Sequence, residues 1–146
     1  MVKTTRILLL SIILSSCILD SQLQPVVHPE FLHDGNSKVW ILTKQFKGEE
    51  EIETGKYEKQ TTFTFFKDGD VFMQPRLNLG GYAGKQGKFN ITYNEIEKDT
   101  SFCFIFQQQR FDFKVLKSSK NYLKIEPTDR NTKFNTLVIK PLDKPF

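Results

Sequence analysis

The chain has 146 residues, of which 21 are Lys or Arg and 17 are Asp or Glu, giving a formal net charge of +4. Its basic residues are scattered among acidic ones and form no block, so the sequence predicts no strong polyanion-binding surface and argues against nucleic acid as a partner. The length is sufficient for one domain with a single hydrophobic core.

The first 16 residues have the pattern of a cleaved export signal. Lys3 and Arg6 make the first six residues basic, and residues 7–14 are apolar apart from Ser11. This apolar run is too short to anchor the chain by spanning a bilayer, so it predicts a signal peptide over residues 1–16. Its removal from the 146 residues leaves 130, with 19 basic and 17 acidic side chains and a net charge of +2.

The segment Leu14-Ser15-Ser16-Cys17 resembles the lipobox of bacterial lipoproteins. The resemblance implies cleavage before Cys17, a diacylglycerol on its sulfur and an acyl chain on its amino group, which together would hold the protein on a membrane. We expect no other cofactor and no metal. Because Ile18 and not Asp follows the cysteine, the resemblance also implies the outer membrane, on its periplasmic face rather than the cell surface. The alternative is a plain secretory signal with an incidental cysteine.

Residues 17–37 predict a lipidated N-terminus and a tether. The segment contains Pro25 and Pro29, has little periodicity, and suggests at most a short turn over residues 29–32. His28 and His33 are interpreted as tether residues, the alternative being a metal pair that no cysteine or carboxylate cluster accompanies. Cys103, the cysteine that remains, is predicted to be a buried thiol in a strand, and a redox or nucleophilic role is the alternative.

Residues 38–146 predict an all-β domain. Seven or eight short runs of alternating apolar residues are separated by turn signals, and no convincing helix of ten residues appears, which favours an antiparallel meander closed as a barrel or packed as a sandwich. Asp68-Gly69, between two such runs, predicts a hairpin with positive φ at both central positions. All 14 Phe residues lie at position 31 or later, enough to fill the interior of an eight-stranded barrel or to line a cavity in it.

Several short sequence motifs of this region, taken in order, resemble those of a known family. They are Trp40-Ile41-Leu42, the run from Thr64 to Val71 around Asp68-Gly69, Gly87-Lys88-Phe89, and the run from Phe111 to Leu116 that leads to Tyr122. In this order they are similar to the small lipocalin-like domains of Bacteroidetes lipoproteins. The resemblance covers about residues 38–140 and implies a lipocalin-like β-barrel.

Catalysis is not expected, since the sequence offers no nucleophile-base motif and no histidine after residue 37. Two other functions are compatible with the sequence. The first is an accessory or scaffold subunit of an outer-membrane or secretion assembly, contacting envelope proteins through residues 47–56, 75–87 or 141–146. The second is a carrier of a small hydrophobic ligand. Its cavity would be lined by aromatic residues that could equally pack a core: Trp40, Phe63, Phe65, Phe89, Phe104 and Phe113.

Overall fold

The computed structural model describes residues 28–129, 132 and 134–142, so Cys17 and the predicted signal peptide lie outside the described residues. The described part contains one short helix, α1 (Glu30–His33), two 3-10 turns (Tyr57–Lys59 and Arg76–Asn78) and nine strands. The strands are β1 (Ser37–Lys47), β2 (Glu50–Ile52), β3 (Thr61–Phe66), β4 (Asp70–Pro75), β5 (Lys85–Asn94), β6 (Asp99–Phe106), β7 (Gln109–Ser119), β8 (Tyr122–Pro127) and β9 (Thr136–Pro141).

The strands form one closed antiparallel barrel of eight strands, with β2 as an extra strand. From β3 to β9 each strand pairs with the next, and β1 closes the circle by pairing with β3 on one edge and β9 on the other. A bulge between Leu42 and Lys44 bends β1, whose final residues pair with β2. The prediction of an all-β antiparallel meander is confirmed, and of its two alternatives the structure is the lipocalin-like barrel.

Two hairpins close in different ways. In the β3–β4 hairpin the Gly69 N–H donates to the Phe66 carbonyl oxygen at 3.1 Å, and Gly69 has φ +89°. The hairpin at Asp68-Gly69 is therefore confirmed, but positive φ is confined to the glycine. The β6–β7 hairpin has positive φ at both central residues, Gln107 (51°) and Gln108 (66°), without a glycine.

Aromatic rings fill the middle of the barrel. Alternation along β3, β6 and β7 turns every second side chain inward, and the inward residues here are phenylalanines. The Phe104 ring centroid lies 5.4 Å from that of Phe63, 4.7 Å from Phe102 and 5.7 Å from Phe113. All four side chains are essentially inaccessible to solvent. The barrel axis in this region is thus occupied by side chains that interlock across three strands.

Gly87 has a packing reason in this core. It pairs with Phe106 across β5 and β6, and a Cβ at position 87 would overlap both the Phe106 ring and the Ile105 carbonyl oxygen. The absence of a side chain lets the Phe106 ring lie against the β5 backbone. The glycine of the Gly87-Lys88-Phe89 motif therefore serves packing in the barrel wall.

Helix α1 seals one end of the barrel. Leu32 is fully buried and His33 is 7% exposed, while the Trp40 indole N–H donates to the Leu32 carbonyl oxygen at 2.9 Å. The His33 Nδ1 atom accepts a hydrogen bond from the Gly35 N–H at 3.0 Å. The apolar side of this single helical turn covers the end of the core. The folded domain therefore includes the last part of segment 17–37, which the sequence predicts to be a tether, and His33 belongs to the fold.

Candidate functional site at the open end of the barrel

The end of the barrel opposite α1 presents two clefts and several exposed apolar side chains. Ser37, at the start of β1, pairs with Phe66, at the end of β3, so α1 lies at the same end as the β3–β4 turn. The last residues of β1, β4 and β8 and the β6–β7 turn lie at the other end, together with the first residue of β9. We call this the open end.

Phe134 lies in the mouth of the open end. Its ring centroid is 4.8 Å from Phe111, 5.6 Å from Phe113 and 6.2 Å from Phe104, and its side chain is only partly buried. Phe134 precedes the last strand, since β9 begins at Thr136. Phe134 is therefore a loop residue whose ring covers the aromatic core from above.

A cleft lies on each side of Phe134. The first has a volume of about 410 Å³ and runs between the end of β1 and the end of β8, with Phe46, Glu126 and Thr136 among its lining residues. The second has a volume of about 260 Å³ and lies over the ends of β4, β5, β6 and β7. Because Phe134 lines both, its ring is the partition between them.

The second cleft has an apolar floor and a polar rim. Met73, Phe106 and Phe111 contribute sulfur and ring surface, and Lys85 and Gln107 contribute a cation and an amide. Neither cleft counts a cysteine or histidine among the described residues that line it. The lining of the second cleft suits the binding of a small amphipathic molecule with an anionic or carbonyl group.

The residues predicted to line a ligand cavity lie elsewhere. All six are buried in one core cluster, and none of them lines either cleft: Trp40, Phe63, Phe65, Phe89, Phe104 and Phe113. The cleft residues that the sequence analysis missed include Met73, Lys85, Phe106 and Phe111. A usable signal existed for two of them, since Phe106 and Phe111 lie next to the Gln-rich turn between β6 and β7, at the ends of their strands.

Loops of the open end expose large apolar side chains. Tyr57, Leu77 and Tyr82 are 63%, 73% and 102% exposed, respectively. The Arg76 guanidinium carbon lies 3.4 Å from the Tyr57 ring centroid. The backbone N–H of Arg76 donates to the Gln60 carbonyl oxygen at 2.8 Å. These contacts hold the two loops together. We call Tyr57, Arg76, Leu77 and Tyr82 the loop patch.

Cys103 has the setting of a structural thiol. It is 4% exposed, and burial raises the pKa of the thiol despite the nearby Arg110 guanidinium, so the nucleophilic thiolate is disfavoured. Its buried position in β6 confirms the strand interpretation. Within the described ranges, no group of three or more His, Cys, Asp or Glu side chains is arranged to hold a metal ion.

Comparison of the chain with protein-family models, with curated proteins and with solved structures found no match in any of the three. Over the part of the chain that the structure describes, no helix is long and apolar enough to cross a membrane. A proposal for the function therefore depends on the fold, on the geometry of the open end and on the sequence pattern around Cys17.

Proposed function

We propose that this protein is a lipid-anchored envelope lipoprotein that acts as an accessory or scaffold subunit of an outer-membrane or secretion assembly. The observation that carries the proposal is the contrast between the filled barrel and the exposed loop patch. Aromatic rings occupy the space in which a lipocalin-like carrier would hold its ligand, while tyrosine, leucine and arginine side chains project from the open end. The anchor rests on the Leu-Ser-Ser-Cys17 pattern.

The composition of the loop patch supports protein contact. Tyrosine and arginine are enriched among the residues that contribute most to protein interfaces, because they combine a large contact area with hydrogen-bonding groups. Large apolar side chains exposed together cost solubility and often mark an interaction surface. The Arg76–Tyr57 contact holds two of these side chains in place before binding, which reduces the entropy lost when a partner docks.

Site-specific photo-crosslinking in intact cells tests this proposal. A photoreactive residue at Tyr82 should crosslink to a discrete envelope protein, whereas one at Ile96, which is 93% exposed in the turn between β5 and β6, should not. Leu77→Ala should reduce the crosslinked product by about tenfold, as expected for loss of a side chain central to an interface. Equal crosslinking from both positions, or a product unchanged by Leu77→Ala, would contradict the scaffold role.

The second cleft favours one other function, carriage of a small amphipathic ligand. Its volume of about 260 Å³ suits a small molecule more than a long-chain lipid, and Lys85 would pair with an anionic group above the apolar floor. Titration of the purified protein with a hydrophobic anionic fluorophore measures this directly. Saturable micromolar binding that weakens at least tenfold in Lys85→Gln, combined with a negative crosslinking result, would favour the carrier over the scaffold.

A further inference from the structure

The outer surface of three adjoining strands carries lysines that the fold brings together. Lys117 on β7 is the register partner of Lys124 on β8, and Lys124 is the partner of Val138 on β9. Lys140 lies two residues beyond Val138 and so faces the same side of the barrel wall. In the sequence these lysines are separated by as many as 23 positions, so only the pairing of the strands unites them.

Two lysines of β1 have acidic partners, whereas Lys117, Lys124 and Lys140 have none among the described residues. Lys44 Nζ lies 3.1 Å from Glu51, and Lys38 Nζ lies 3.1 Å from Asp34. Instead, all three lie near aromatic rings. The ammonium groups of Lys117 and Lys140 are 5.6 and 5.9 Å from the Tyr122 ring centroid, and that of Lys124 is 5.2 Å from the Phe46 ring centroid. We call these three lysines and Tyr122 the basic face.

The direct opposition of two of these lysines is unfavourable for stability, and none of the three protects an unpaired edge of the sheet. Like charges on directly opposed residues of neighbouring strands repel, and Lys117 and Lys124 are such a pair. Lysines often guard the exposed edge of a sheet against pairing with another chain, but β7, β8 and β9 are each paired on both sides. A positively charged surface beside the amphipathic side chain of a tyrosine attracts anionic lipid headgroups.

We propose that the basic face lies on an anionic membrane surface and orients the barrel there, an inference that rests on the proposed lipid anchor. The Lys38 ammonium donates to the carbonyl oxygens of Phe31 in α1 and Lys120 in the β7–β8 turn, at 3.3 and 3.1 Å. The chain therefore enters the fold beside the basic face. The 11 residue steps from Cys17 to His28 span at most about 40 Å, so the anchor keeps this face within reach of headgroups.

Lysine footprinting of the full-length acylated protein tests this orientation. The protein is reconstituted in phosphatidylcholine vesicles with or without phosphatidylglycerol, treated with an amine-acetylating reagent and analysed by mass spectrometry. Acetylation of Lys117, Lys124 and Lys140 should fall on the order of fivefold on the anionic vesicles and recover at high salt, while Lys56 and Lys59 should be unaffected. Equal acetylation on both kinds of vesicle would overturn the proposal.

A charge-matched pair of variants completes the test. Lys117→Gln/Lys124→Gln should abolish the protection of Lys140, whereas Lys56→Gln/Lys59→Gln, with the same change in net charge, should preserve it. Heparin retention that is lost in the first variant, without protection on vesicles, would overturn the membrane assignment in favour of a soluble polyanion. Flotation with neutral vesicles reports the anchor separately: a protein that floats with them but shows no protection on anionic vesicles retains the anchor and refutes the basic face.

Discussion

The two ends of the barrel are closed by different means. At the closed end, Leu32 is fully buried, and the Trp40 indole donates to its carbonyl oxygen at 2.9 Å, so apolar contact and a hydrogen bond act together. At the open end, Phe134 is partly buried, rests on three rings and leaves a cleft on each side. The closed end thus has the properties of a core, and the open end those of a surface adapted to contact other molecules.

Both ends have paired backbone groups, and they differ in where their side chains lie. In α1 the carbonyl oxygen of Leu32 and the N–H of Asp34 both have partners, so the segment can be buried without stranding polar groups. The loops of the open end also have backbone hydrogen bonds, such as that from the Arg76 N–H to the Gln60 carbonyl oxygen, but they project large side chains into solvent. Low local stability and exposed side chains commonly accompany binding loops, because such loops must remain accessible to a partner.

One residue type occurs at both ends and provides the largest expected contrast. Leu32→Ala should lower the free energy of unfolding by about 2–5 kcal/mol, because it removes a fully buried side chain from the seal of the core. Leu77→Ala should change it by less than about 0.5 kcal/mol, since Leu77 is 73% exposed. Urea denaturation of both variants measures the difference. Equal effects would mean that α1 does not contribute to the stability of the barrel.

The partition between the two clefts provides an intermediate effect. Phe134→Ala should lower the free energy of unfolding by about 1–2 kcal/mol, because it removes three aromatic contacts but little fully buried area. The same change should join the clefts and increase the fluorescence of an added hydrophobic dye. Phe66→Ala, at the closed end and 37% exposed, is the control and should leave dye fluorescence unchanged. A loss above about 3 kcal/mol would show that Phe134 belongs to the core.

The barrel could be predicted from the sequence because its signals are local. Alternation of Phe102, Phe104 and Phe106 marks a strand, and Asp68-Gly69 marks a hairpin, so the order of strands followed from neighbouring residues. Closure by the pairing of β1 with β9 is a contact between residues nearly 100 positions apart, for example Ile41 and Lys140. No local pattern reports it, which is why a sandwich remained an alternative.

The binding surfaces could not be predicted in the same way. Whether a core aromatic residue also lines a cleft depends on its height in the barrel. Phe104 and Phe106 of one strand belong to the same buried cluster, but only Phe106 also lines one of the two clefts. Lys117 and Lys140 come together only when the strands have paired. His33 was assigned to a tether because four residues of helix give no periodicity, although the structure buries it.

The β6–β7 turn at the open end provides the smallest effect, with the opposite sign. Gln107 and Gln108 both have positive φ, a conformation that favours Asn and Gly and disfavours other residues. Gln107→Asn/Gln108→Gly should therefore raise the free energy of unfolding by about 0.5–1 kcal/mol, measured by urea denaturation. Gln109→Gly, one residue later in the regular part of β7, is the control for added chain flexibility and should lower it by about 0.5–1 kcal/mol. If both variants lost stability, the strain of the turn would be smaller than the entropy cost of glycine, and the open end would be as well adapted to stability as the closed end.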